Sequence, residues 1–220
     1  MDEMPPSQNE VRENPCFRRC LRPPVPEVTI AANLLTRAED AHVNGRFGEA
    51  EDLICEANIP TIAEWAESLI GKKSEFNTPL FRRPAVLLGA REQKRMPAAE
   101  MIRALHRRDG FHCGFCGTPV IRRVSRKRLV QLYPKAVPWG PRNIDKHAAI
   151  FVMEVQYDHV IPFSIGGRSA LDNLLLTCLP CNYGRGGFTL EEMGLYNPLN
   201  GGRATCVAAN WDGLERLLES

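Results

Sequence analysis

Tyr157-Asp158-His159-Val160-Ile161-Pro162-Phe163-Ser164-Ile165-Gly166-Gly167 decides how this 220-residue chain is read. It continues through Asn173-Leu174 to Cys178-Leu179-Pro180-Cys181-Asn182-Tyr183-Gly184-Arg185-Gly186. Upstream lies a matching pair, Cys113-Gly114-Phe115-Cys116. A CxxC turn can place two sulfurs on one ion. Two such turns from distant parts of the chain supply four thiolates, the donor set of a tetrahedral structural Zn²⁺ site. The bland alternative is a redox-active or merely buried set of thiols. The stretch Met1 to Asn9 is polar and acidic and does not read as a secretory signal, so a cytoplasmic location is expected and metal is favoured over disulfides. Of the remaining cysteines, Cys16 and Cys20 form a lone CxxxC in a Pro-rich tail. Cys55 falls on an apolar helical face, where a core thiol is expected.

The polar series between the cysteine pairs carries the chemistry. Asp158 and His159 end a strand-like stretch, and adjacent strand residues point to opposite faces. Asp158 is a hard oxygen ligand suited to Mg²⁺ or Mn²⁺. His159 is suited to act as general base on a water, because its neutral form is abundant near neutral pH. Gly166-Gly167 allows a tight loop before Asn173. Asn182 follows Cys181 directly, so a structural metal there fixes the segment carrying a second oxygen ligand. Taken singly, each residue serves a structural role equally well; together they are hard to explain as core.

These residues resemble the HNH endonuclease family over roughly residues 100 to 190. A helix, then Arg108-Asp109-Gly110, then CxxC is a similar lead-in to that family. The resemblance implies an α+β fold, a ββα-metal core with a structural zinc, preceded here by a small helical N-terminal domain. It places the general base on His159, the catalytic metal on Asp158 and Asn182, and the bracing of the loop and the His on Asn173. Two departures stand out. Asn182 makes this an H-N-N variant, and Arg185 stands where a Lys is frequent. Arg keeps the charge and suits bidentate phosphate contacts.

Net charge is +2 but unevenly spread. Glu27 to Glu67 holds nine acidic and two basic residues; Arg103 to Lys146 holds eleven basic and two acidic. A basic block beside a metal site implies a polyanionic partner, here DNA. Arg122, Arg123, Arg126, Lys127 and Arg128, together with Arg185, are the expected phosphate contacts. The plain alternative is a solvated charged surface. The acidic helices suit a protein partner or a bundle packed on the rest. No run approaches the length of a membrane helix.

The chain divides as follows. Pro5, Pro6, Pro15, Pro23, Pro24 and Pro26 mark residues 1–26 as a poorly ordered arm. Apolar spacing predicts helices over Val28–Val43, Phe47–Ala57 and Thr61–Ile70, giving a helical domain over 27–72. Residues 73–97 read as a linker and 98–196 as the nuclease domain, opened by a helix over Ala98–Arg107. Within it, Val152–Tyr157 and Leu174–Thr177 read as strands and Leu179 to about Gly186 as a helix. Thr189-Leu190-Glu191-Glu192 is a capping box that opens another helix. In 197–220, Asn210–Leu218 reads as a C-terminal helix packing on the core. The function expected is metal-dependent hydrolysis of DNA, in restriction, phage defence or mobile-element biology. The alternative is a zinc-stabilised DNA-binding module without cleavage, which has no need of Asp158, His159 and Asn182 together.

Overall fold

The structure is a computed structural model and describes residues 17–77 and 95–219. Helices α1 (Glu27–Val43), α2 (Phe47–Glu56) and α3 (Pro60–Ile70) follow the apolar spacing of the sequence. Gly45, at φ +74°, turns the chain out of α1 where a side chain would be strained. Pro60 opens α3 at a position whose N–H has no helical partner. The buried faces are Val28, Leu34, Leu35 and Ala38 of α1, Leu53 and Ile54 of α2, and Ile62, Trp65 and Leu69 of α3. Each fully buried Leu or Ile contributes about 1.5–3 kcal/mol over an exposed one.

After α4 (Ala99–Asp109) and α5 (Arg123–Leu132) come α6 (Ala148–Met153), β1 (Gln156–His159), β2 (Leu174–Thr177) and α7 (Leu179–Arg185). Strands β1 and β2 form an antiparallel pair in which Asp158 faces Leu175 and His159 faces Leu174. The pair and α7 give the ββα core of an α+β fold. Helix α3 packs on both α6 and α7, so the N-terminal helices share one buried cluster with the core.

Five expectations are corrected. Residues 148–153 are helical, so the strand begins at Gln156. All six side chains of α6 are buried, and a continuous apolar run has no period to separate strand from helix. Its N-terminus is capped twice. His147 Nδ1 accepts from Ile150 N, and Asn58 Oδ1 accepts from Ala148 N. The capping box forms, with Thr189 N donating to Glu192 Oε2 at 2.8 Å and Glu192 N to Thr189 Oγ1 at 3.2 Å, but it closes a turn and no helix follows. The C-terminal helix is replaced by an irregular segment ending in a 3₁₀ turn over Glu215–Leu218, because Asn210, Gly213 and Leu214 all take positive φ. Part of the expected arm is built in. Arg18 N donates to Gly194 O, Tyr196 N donates to Arg18 O, and Leu21 is buried. Residues 1–16, Cys16 among them, and most of the expected linker, 78–94, lie outside the described residues. Cys55 is exposed, on the far side of α2 from Leu53 and Ile54.

Candidate metal centre and catalytic site

The first cysteine pair sits on a tight turn. Cys113 N donates to Thr118 O at 2.8 Å and Gly117 N to Cys113 O at 2.9 Å. Gly114 N donates to Leu176 O at 2.9 Å, which docks the turn on β2. Both glycines are needed for close approach. A Cβ on Gly114 would meet the Leu175 side chain at 2.7 Å, and one on Gly117, at φ +78°, would meet Thr205 O at 2.1 Å. The second pair comes from the N-terminus of α7, where Cys178 is the cap residue and Cys181 lies in the first turn. All four cysteines are buried, and their sulfurs lie within 4.8 Å of one another. Cys116 Sγ and Cys178 Sγ are 3.7 Å apart. A tetrahedral ion with bonds of about 2.3 Å sets its sulfurs about 3.8 Å apart. The four residues therefore fit a structural metal.

The thiols are electrically strained. Burial pushes Cys113 up, but hydrogen bonds with Cys116, Cys178 and Cys181 outweigh it and hold it well below the ordinary thiol range. Cys178 is pushed well above that range by burial, and Cys181 by its hydrogen bond to Cys113. A dication relieves this competition by taking all four as thiolates.

Asp109 holds the lead-in helix to the same residue of β2 on which the first cysteine turn docks. Its carboxylate accepts from Leu176 N at 3.2 Å and is paired with Arg108 and Arg203. The Arg108-Asp109-Gly110 lead-in is visible in the sequence, but Arg203 as its partner is not.

His159 ends β1 with 4% of its surface exposed. Its Nε2 lies 3.0 Å from Ser169 Oγ, which in turn donates to Arg95 O at 3.0 Å. The ring of Phe163 is 5.4 Å away. Ser169 was not singled out by sequence; it lies in the Gly166-Gly167 loop with no motif of its own. Asn173 braces that loop. Its Nδ2 donates to Ile161 O and Arg168 O, and its Oδ1 accepts from Ile161 N at 2.8 Å. Gly167 lies so close to this brace that a Cβ there would be 1.8 Å from Ile161 O.

Asp158 points to the opposite face. Arg185 Nε donates to its Oδ2 at 2.9 Å, and Arg185 Nη2 to its Oδ1. The same guanidinium donates to His159 O at 2.7 Å and to Phe188 O at 2.5 Å. Arg185 is 1% exposed and Asp158 5%. Burial pushes the Asp158 carboxyl up, and the Arg185 charge and hydrogen bonds oppose it. Arg185 is thus a clamp between α7 and β1, and it corrects the expectation of a phosphate-binding side chain: a guanidinium enclosed in this way cannot face a DNA backbone. Asn182, one turn before Arg185, is half-buried, and no described residue hydrogen-bonds its side-chain amide.

The basic cluster divides in the same way. Arg126 is buried, stacked 4.3 Å from the Trp139 ring and 3.4 Å from Glu154, so it too is a packing residue. Arg122 pairs with Glu215, and Arg128 Nε donates to Leu217 O. Arg123 and Lys127 are exposed on the outer face of α5.

The model of the HNH endonuclease family matches residues 143–186. The chain carries an HNH endonuclease domain. The matched HNH segment contains β1, β2, α7 and the second cysteine pair, and the first pair lies upstream of it. The match gives a nuclease-type, metal-binding domain that acts on DNA. No curated protein and no solved structure matches the chain. No helix among the described residues is long and apolar enough to cross a membrane.

Proposed function

We propose that this HNH domain hydrolyses phosphodiester bonds in DNA. His159 is its general base, and Asp158 and Asn182 are the protein ligands of a catalytic Mg²⁺ or Mn²⁺. Zn²⁺ is the ion of the four-cysteine site. The observation that carries the reading is the position of His159, at the end of β1 inside the matched HNH segment, with its Nε2 3.0 Å from Ser169 Oγ, which donates to Arg95 O. An imidazole is the side chain suited to take a proton from water near neutral pH. Asn173 holds the loop that carries Ser169. The donor types of Asp158 and Asn182, carboxylate and amide oxygen, fit a hard divalent ion. Such an ion supplies stabilisation of the charge that develops on the leaving oxygen. Arg123 and Lys127, with the half-buried Arg122 and Arg128, hold flanking phosphates and carry little sequence choice.

The test is plasmid nicking by the purified protein in Mg²⁺ or Mn²⁺, beside His159→Ala. The parent should cut. His159→Ala should lose a factor of about a hundred to ten thousand in rate while keeping its zinc and its DNA affinity. Asp158→Ala should be equally inactive, through weakened binding of the divalent ion.

One observation favours a second reading. Both oxygens of Asp158 are engaged by Arg185. A zinc-stabilised module that binds DNA without cutting it has no need to release them. Salt-sensitive DNA binding with no cleavage by the parent in either metal would establish that reading.

A further inference from the structure

Three segments meet around His159, and each carries a large apolar side chain in the open. Ile161 follows His159 by two residues, and its N–H and carbonyl are both held by the Asn173 side chain. Leu171 lies on the loop that supplies Ser169, and its carbonyl accepts from Arg108 Nη1. Met96 follows Arg95, whose carbonyl accepts from Ser169 Oγ at 3.0 Å. Ser169 Oγ is itself 3.0 Å from His159 Nε2. Ile161, Leu171 and Met96 are 41–64% exposed, whereas the imidazole they surround is buried. Single apolar side chains scattered over a surface need no explanation. These three stand on the backbone ties that frame His159, and two of them lie inside the matched HNH segment. Arg95 and Arg168 are exposed on the same segments, the latter 3.8 Å from Asp172.

Carbon side chains offer a phosphate no hydrogen bond, so this rim does not hold the DNA backbone. The apolar surface of DNA is the faces of its bases, which stacking hides in a relaxed duplex. Proteins that insert Ile, Leu or Met between base pairs unstack the step and kink the duplex, at a cost of about a few kcal/mol per step. The recessed position of His159 gives such an insertion a purpose. A smooth duplex rests on the rim, and a kinked one lets its backbone down to the imidazole. We propose that Ile161 and Leu171, with Met96 beside them, form a wedge that opens a base step at the bond to be cut. The wedge makes deformability a determinant of where DNA is cut. Pyrimidine–purine steps, which are easily kinked, are favoured, and stiff A-tracts are disfavoured. The inference rests on His159 acting at the cleaved bond of DNA and on no particular metal ligand.

The experiment reads binding of a short labelled duplex by fluorescence anisotropy, on the zinc-loaded full chain in a His159→Ala background that leaves the DNA uncut. One duplex is fully paired and the other carries a central mismatch, where unstacking costs least. The chain with its wedge intact should bind the mismatched duplex about ten- to a hundredfold more tightly than the paired one. Ile161→Ser with Leu171→Ser should lose most of that gain, and Ile161→Leu with Leu171→Met should keep it. The salt dependence should stay the same in both, because neither pair touches phosphate. Equal affinity for the two duplexes in the chain with its wedge intact overturns the proposal, even if the serine variant fails to fold. So does a gain that survives in the folded serine variant. A single strand bound more tightly than the mismatched duplex also overturns it, in favour of a surface for unpaired DNA. Plasmid nicking by the parent tests the nuclease reading separately. Nicking with no gain at the mismatch sinks the wedge and keeps the nuclease. A gain that the serine variant removes, with no nicking, keeps the wedge on a domain that binds DNA without cutting it.

Discussion

At the scale of single residues, the site depends on a few positions that tolerate no added atoms or lost charges. Gly167→Ala places a methyl group 1.8 Å from Ile161 O, so the loop must move and the Asn173 brace must break. Loss of nuclease activity is expected with zinc content retained, since the cysteine pairs lie elsewhere; activity and metal analysis together check it. Asn173→Ala leaves Ile161 N and two carbonyls without their partner and should cost about 1–3 kcal/mol in a denaturant titration. His147 gives a pH prediction. It is buried, its Nδ1 accepts from Ile150 N, and its Nε2 lies 2.9 Å from Ile54 O. Burial holds the ring below the ordinary imidazole value of 6.5, so the neutral form is native. As pH falls through that value, the unfolded chain takes up a proton before the folded one does, and stability drops. The melting temperature should therefore fall from about pH 6.5 downward. The fall should be shallower in His147→Asn, which keeps an N-cap side chain but cannot titrate.

Between elements, the ties are ionic and capping contacts between residues far apart in sequence. Arg216, in the C-terminal 3₁₀ turn, pairs with Glu39 and Asp40 of α1 and with Asp212. The Glu39 side chain is fully enclosed, and burial pushes its carboxyl up to about 7 against the pull of Arg216. Arg216→Ala should destabilise the fold by about 1–3 kcal/mol, moderated by the guanidinium's own exposure. Adding Glu39→Gln should recover part of that loss, which a double-mutant cycle in urea measures. None of this is legible in the sequence, because Glu39 and Arg216 belong to separate helical-looking stretches and nothing local pairs them. The legible parts were those where one short segment carries its own signal. These are the helices with a clear 3.6-residue period, strand β2, and the paired CxxC turns. The C-terminal helix failed because Trp211, Leu214, Leu217 and Leu218 have helical spacing while Gly213 and the positive φ of Leu214 break it. The Arg185 clamp was hidden by a similar ambiguity. An arginine after a metal-site motif looks the same in sequence whether it faces phosphate or a buried carboxylate.

For the whole molecule, the division of the basic cluster sets the DNA-binding energetics. With Arg126 and Arg185 enclosed, α5 offers about two to four phosphate contacts, and log affinity should fall with log salt at a slope of about −2 to −4. Arg123→Glu with Lys127→Glu should weaken binding and flatten that slope by about two. Arg126→Ala should instead lower stability, through loss of its packing on Trp139. Fluorescence anisotropy over a salt series separates the two outcomes. Stripping the metal with a chelator, or Cys178→Ser, should unfold the core and abolish DNA binding, because binding of such a metal is folding energy.

The cysteine clasp joins residues 113 and 116 to residues 178 and 181, and α5, α6 and the two strands are threaded between them. During synthesis this order matters. A nascent chain that has emerged only as far as α5 exposes its cationic helix with two of the four thiolates, and closing so long a loop is slow and entropically costly. Metal capture is therefore a late event in the life of each molecule. Until Cys181 has left the ribosome, the half-made protein is a basic, unclosed chain in a cell full of RNA.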